Sequence, residues 1–97
     1  EKTYDCAARE LEEETGFKSN NIEFLHTIIP AIAYSSEKID VYVAFDLTKS
    51  KQHLDPDEDI ELEYYTIDEL IEMILSNEIN DSKTIASLLT YYNKYCK

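Results

Sequence analysis

The sequence predicts a layered α/β or α+β domain, and three observations carry that expectation. Element patterns run helix, strand, strand, strand, helix, helix, and strands set between helices pack in layers. Apolar residues make up 43% of the 97, so the chain is built to bury a core rather than stay disordered. The run at residues 40–47 is mostly apolar on both faces, as in a strand covered on both sides. Residues 1–97 read as one domain at most, and three strands are too few to close its core. Glu1 falls in a helical pattern with no Met before it. Both features point to a piece of a longer chain.

Residues 1–15 form the first helix, with Ala7, Ala8 and Leu11 as its apolar stripe and Tyr4 one turn earlier. Gly16 stands where a left-handed cap ends a helix. Lys18-Ser19-Asn20-Asn21 is a polar turn. Residues 22–29, rich in β-branched and aromatic side chains, form the first strand. Residues 30–37 are a long loop or an irregular strand end. Residues 40–47 form the second strand, with Val41, Val43, Phe45 and Leu47 on one face and Tyr42 and Ala44 on the other. Residues 48–59 are a polar loop that ends strongly acidic. Ile60, Leu62 and Tyr64 then alternate with Glu61, Glu63 and Tyr65, the pattern of a third strand with one wetter face. Thr66-Ile67-Asp68-Glu69 is a capping box opening a helix to about Ser76, whose core face is Leu70, Ile71, Ile74 and Leu75. Asn80-Asp81-Ser82 caps a last helix, with Ile85, Leu88, Leu89 and Tyr92 spaced i, i+3, i+4, i+7.

Composition narrows the function. Nine Lys and Arg against 21 Asp and Glu give a net charge of −12, which argues against nucleic acid or an anionic membrane surface as partner. Such a chain suits cations, and suits anionic substrates only when a metal screens them. No apolar run approaches the ~20 residues of a membrane span. The single glycine, against about seven in a typical domain of this size, rules out glycine-rich phosphate loops. Cys6 and Cys96 lie near opposite ends, outside any CxxC or Cys/His cluster. They read as reduced thiols of a cytoplasmic protein that act as small, partly buried side chains. His26 reads as a hydrogen-bonded strand histidine and His53 as solvated. Tyr91, Tyr92 and Tyr95 read as helix packing or a subunit contact.

The chemistry concentrates in the first helix. Glu10, Glu13 and Glu14 are spaced i, i+3, i+4 and share one face, while Ala7 and Leu11 point the other way. Unscreened, each like-charge pair costs ~0.2–0.5 kcal/mol, so a cation there is stabilising. Mg²⁺ takes one or two carboxylates together with waters and substrate phosphates. Arg9, one turn before Glu13, can orient that carboxylate without being a ligand. A solvated acidic face is the alternative for such a stretch taken alone.

The longer pattern decides between them. Glu1, seven residues, then Arg9-Glu10-Leu11-x-Glu13-Glu14-x-Gly16-Phe17 resembles the Nudix box. Every position of the box from its first Glu onward is matched, at chance odds below about one in a million. The box's opening Gly has no counterpart, nor do the N-terminal strands that precede the box in the family. The resemblance implies a Nudix-fold α/β/α sandwich with a mixed sheet, of which this chain is the part from the box helix to the C-terminal helix. It also implies a metal-dependent hydrolase that directs water onto a pyrophosphate phosphorus. Carried over by position, Glu10, Glu13 and Glu14 bind Mg²⁺ or Mn²⁺, Arg9 holds the carboxylates, Glu1 supports them, and Gly16 ends the helix.

Three further stretches resemble the C-terminal half of bacterial ADP-ribose pyrophosphatases: Asp57-Glu58-Asp59-Ile60-Glu61-Leu62, Thr66-Ile67-Asp68-Glu69-Leu70, and Ser36-Glu37-Lys38-Ile39 leading into Val41-Tyr42-Val43. So does the run from Asn77 to Leu89. The substrate this implies is ADP-ribose or a related nucleoside diphosphate-sugar, cleaved to AMP and a sugar phosphate. In those enzymes an acidic loop brings a carboxylate to the metals as base or ligand. Glu58 takes that position, with Asp57 and Asp59 as the other candidates and a solvated acidic turn as the alternative. An EF-hand loop is excluded, since the spacing Asp55, Asp57, Asp59 lacks its Gly and contains Pro56. Glu37 keeps the family's position near the substrate, or pairs with a surface cation such as Lys38. Tyr34, beside the loop, is a candidate to stack on adenine, with packing or a subunit contact as the alternative. Ile32-Ala33 stand where ADP-ribose enzymes carry Pro-Gly, which bears on the substrate and not on the hydrolase class. Another dinucleotide or a nucleoside triphosphate is the alternative substrate. A non-catalytic nucleotide-sensing or protein-binding module is the alternative of another class. The resemblance further implies a cytoplasmic homodimer in the full-length protein. The isolated 97 residues are expected to be weakly stable and poorly active.

Overall fold

A computed structural model of the chain describes residues 1–33, 36–54, 56 and 58–97. It contains α1 (Thr3–Thr15), β1 (Phe17–Lys18), β2 (Asn21–Ile28), β3 (Ile39–Phe45), β4 (Thr48–Lys49), α2 (Ile67–Leu75) and α3 (Ser82–Tyr95). β2 pairs with β3, and β1 pairs with β4. The chain divides into two compact units, Glu1–Phe24 with Tyr42–Glu63, and Leu25–Val41 with Tyr64–Lys97.

In the first unit, α1 begins at Thr3, after the extended Lys2, so Glu1 precedes the helix rather than lying within it. Gly16 closes α1 with φ 77°, its N–H bonded to the Glu12 carbonyl at 2.9 Å. Only glycine adopts this left-handed geometry without strain. Tyr42 receives the rings of Tyr4 and Phe24 edge-on, at 5.8 and 5.7 Å, and shares a 2.7 Å hydrogen bond with the Thr3 hydroxyl.

The polar turn and polar loop expected at 18–21 and 48–59 instead supply a small antiparallel sheet. Phe17 lies opposite Lys49, and Lys18 opposite Thr48. Two-residue strands carry no periodicity, so nothing in the sequence marks them. All seven positions of β3 are half-buried, as a strand covered on both faces requires. The strand stops at Phe45 because Asp46 turns the chain at φ 53°. Leu47, expected on its apolar face, is therefore outside the strand and exposed.

The alternating residues 60–65 form no strand. A strand exists through its ladder of hydrogen bonds, and no described strand pairs with this segment. Ile60 is half-buried, while Leu62 and Tyr64 are exposed.

The second unit holds Leu25, the buried apolar side chain among the described residues. His26 Nε2 meets the Ser87 hydroxyl at 3.1 Å, the satisfied histidine that was expected. The Thr27 hydroxyl donates to Asp40 at 2.8 Å. Both halves of the capping box form: Glu69 N–H donates to Thr66 Oγ1 at 3.1 Å, and Thr66 N–H to Glu69 Oε1 at 2.8 Å. Leu70, Ile71 and Ile74 are half-buried, and α2 packs against α3. Leu75, expected on that face, is 75% exposed, because the helix ends there and Asn77 turns the chain at φ 65°. Asp81 caps α3 by accepting from the Thr84 N–H and hydroxyl at 2.9 and 2.8 Å. Ile85, Leu88 and Tyr92 are half-buried, whereas Leu89 lies at the edge of the stripe and is exposed. Tyr91 and Tyr95 stack at 5.3 Å. Both cysteines are free thiols, Cys6 half-buried and Cys96 exposed rather than packed. Among the described residues no helix is long and apolar enough to cross a membrane.

Candidate active site on the first helix

The helical repeat that points Ala7 and Leu11 inward sends Glu10, Glu13 and Glu14 outward together. The first unit answers with Glu58. Arg9, Glu10, Glu13, Glu14 and Glu58 line one cleft of about 210 Å³. Glu58 was singled out as the acidic-loop residue, and it does face the helix carboxylates. Asp59 is exposed and is not among the lining residues. Asp57 and Tyr34 lie outside the described residues. Glu37 is exposed and belongs to the second unit.

Arg9 organises one wall. Its Nη1 donates to both oxygens of Glu13, and its Nε and Nη2 donate to the two oxygens of Glu1 at 3.0 Å each. Glu1 thus supports the site from just ahead of α1. Its carboxyl is held below the ordinary range, chiefly by the Arg9 hydrogen bond. Glu12, the carboxylate beside Glu13 that the pattern leaves out, is engaged elsewhere. It binds Lys18 at 3.3 Å and accepts from the Ser50 hydroxyl.

Glu14 is the electrostatic focus. Its carboxyl is pushed above the ordinary range, first by desolvation and then by the charges of Glu10, Glu58 and Glu13. Glu13 and Glu14 stand in the last turn of α1, at the negative end of the helix dipole, with no basic residue in that turn. A hard divalent cation is the chemical complement of such an all-oxygen anionic set. Among the described residues no three acidic, His or Cys side chains converge tightly enough to hold an ion as they stand. Glu13 is turned to Arg9, and Glu10 accepts from the Cys6 thiol at 3.0 Å. The residues fit the ion by chemistry and by shared cleft, and their side chains must rotate to close on it.

Sequence reasoning missed two contributors. Cys6 stands one turn before Glu10, a spacing that was there to be noticed. The segment at 50–53 also binds α1: Gln52 Nε2 donates to the Glu14 carbonyl at 2.5 Å, and the His53 N–H to the Glu13 carbonyl at 2.7 Å. No local pattern reports that pairing.

Comparisons with known proteins bear on the family and the fold. A family model described as the NUDIX domain matches residues 1–88. The chain is 38% identical over 84 residues to a methanol dehydrogenase activator of Bacillus methanolicus, covering 84% of this chain and 45% of that one. It is 31% identical over 80 residues to an ADP-ribose pyrophosphatase of Bacillus subtilis, covering 80% and 43%. A crystal structure of an ADP compounds hydrolase superposes with a TM-score of 0.85 at 27% identity, over 96% of this chain and 50% of that one. The chain therefore spans about half the length of the relatives it matches.

Proposed function

The chain belongs to the Nudix family, and from that premise we propose that its protein hydrolyses the pyrophosphate bond of ADP-ribose or a related nucleoside diphosphate-sugar, releasing AMP and a sugar phosphate. The observation that carries the reading is the cleft in which Glu10, Glu13, Glu14 and Glu58 face one another beside Arg9. The similarity to an ADP-ribose pyrophosphatase and to an ADP compounds hydrolase supports the substrate class.

A pyrophosphate would be repelled by a protein of net charge −12. Mg²⁺ or Mn²⁺ held among these carboxylates would neutralise that charge and lower the pKa of its bound water. Glu10, Glu13 and Glu14 supply the oxygens that hold it. Arg9 keeps Glu13 oriented through both of its oxygens. Glu58, which lines the same cleft as Glu14, takes a proton from attacking water or completes the ligand set. Glu37 and Tyr34 are the residues assigned to the substrate's remaining parts. The protein acts as a cytoplasmic homodimer.

The test is Mg²⁺- or Mn²⁺-dependent release of AMP from ADP-ribose by the whole protein beside its Glu14→Gln variant. A loss of about 10³-fold or more in the variant supports the reading. Turnover on no nucleoside diphosphate substrate overturns it. A second reading, a Nudix module that acts on another protein, is favoured by the 38% identity to a methanol dehydrogenase activator. That reading requires Glu14→Gln to keep the cellular role.

A further inference from the structure

We infer that residues 50–53 are a positioning strap that holds Glu58 against the carboxylates of α1, acting through the backbone N–H of His53 and the side-chain amide of Gln52. The inference rests on the roles given above to Glu58 and to the helix carboxylates.

A helix leaves its last four carbonyls without partners. In α1 the Glu12 carbonyl is taken by the Gly16 N–H. The next two go to consecutive residues of the strap. The His53 N–H donates to the Glu13 carbonyl at 2.7 Å, and Gln52 Nε2 donates to the Glu14 carbonyl at 2.5 Å. Ser50 adds two more ties, from its N–H to the Gly16 carbonyl at 2.6 Å and from its hydroxyl to the Glu12 carboxylate. Glu13 and Glu14, whose side chains line the cleft, therefore also anchor the strap through their backbone carbonyls.

This matters because of chain length. Glu58 follows His53 by five residues, at most ~18 Å of extended chain. Fixing His53 on α1 thus fixes the origin from which Glu58 reaches the cleft. Water could satisfy the same carbonyls without fixing anything. Gly16 eases the approach, because a Cβ there would lie 3.3 Å from the Gln52 nitrogen and the strap would have to give by a few tenths of an ångström. The glycine that ends the helix also admits the strap.

The experiment uses the whole protein and reads both Mn²⁺ affinity and turnover on ADP-ribose. The variants are His53→Pro, which deletes the N–H, His53→Ala as the reference that retains it, Glu58→Gln, and the His53→Pro/Glu58→Gln double. In whichever readout Glu58→Gln impairs, His53→Pro is expected to lose about 10-fold against His53→Ala. The double should then be no worse than the poorer single, because both changes remove one contribution. Equal behaviour of His53→Pro and His53→Ala overturns the inference, and so do losses that multiply in the double. If His53→Pro does not fold, Gln52→Ala carries the same comparison, since it deletes only a side-chain donor at an exposed position. If Glu58→Gln impairs neither readout, the role of Glu58 and the strap inference fall together. Glu14→Gln would still decide the hydrolase reading separately.

Discussion

Arg9 grips Glu13 through both carboxylate oxygens, at 3.0 and 3.2 Å, from one turn earlier on the same helix. The same guanidinium holds Glu1 with its other two nitrogens. Lysine has one compact ammonium and cannot span both partners. Arg9→Lys is therefore expected to lower Mn²⁺ affinity and turnover by about 10- to 100-fold, the usual effect of losing a group that orients a metal ligand. Because Arg9 and its partners are exposed, the melting temperature should barely move. Kinetics beside a thermal melt check this, and a large fall in melting temperature would assign Arg9 a structural role instead.

Glu14 should make the site respond to pH. Its carboxyl is raised above its ordinary value of 4.5 by desolvation and by Glu10, Glu58 and Glu13. The folded chain thus binds this proton more tightly than the unfolded chain. The associated stability is present at low pH and is lost as pH rises from the ordinary value through the raised one. A metal ion competes with the same proton, so metal affinity should climb over that window. Glu58→Gln removes one of the contributing charges and should shift the climb to lower pH. Mn²⁺ titrations across pH in both proteins measure it, and coincident midpoints would mean that Glu14 does not sense Glu58.

The capping box predicts a change that alters stability alone. Thr66 and Glu69 satisfy each other's backbone donors at the start of α2. They belong to the unit that does not contain the acidic cleft. Thr66→Ala should cost about 1 kcal/mol and leave kcat per folded molecule unchanged. Denaturant unfolding and active-site-normalised kinetics separate the two effects.

What the sequence made legible was local. The capping box spans four residues, the Gly16 cap one, and the carboxylate face of α1 about a single turn, so short-range geometry decides each of them. Glu58 was legible only because the chain resembles a family that places a carboxylate there. The β1–β4 pairing joins Lys18 to Thr48, and the strap joins His53 to Glu13. Both are contacts between polar segments far apart in sequence, where no hydrophobic period exists to be read. The alternation at 60–65 misled for the converse reason. Period two shows which faces a segment offers, but a strand also needs a neighbour to bond to.

Gly16 joins the local and the distant. At φ 77° an L side chain costs about 1–2 kcal/mol, and its Cβ would sit 3.3 Å from the Gln52 nitrogen. Gly16→Ala should therefore lose stability through the backbone and turnover through displacement of the strap. Gly16→Asn separates the two causes. Asparagine tolerates left-handed geometry better than alanine, yet it carries the same Cβ. Its stability should recover much of the loss in unfolding experiments, while its turnover should stay with that of Gly16→Ala. If both properties recover together, backbone strain alone explains the glycine, and the close approach of Gln52 has no part in activity.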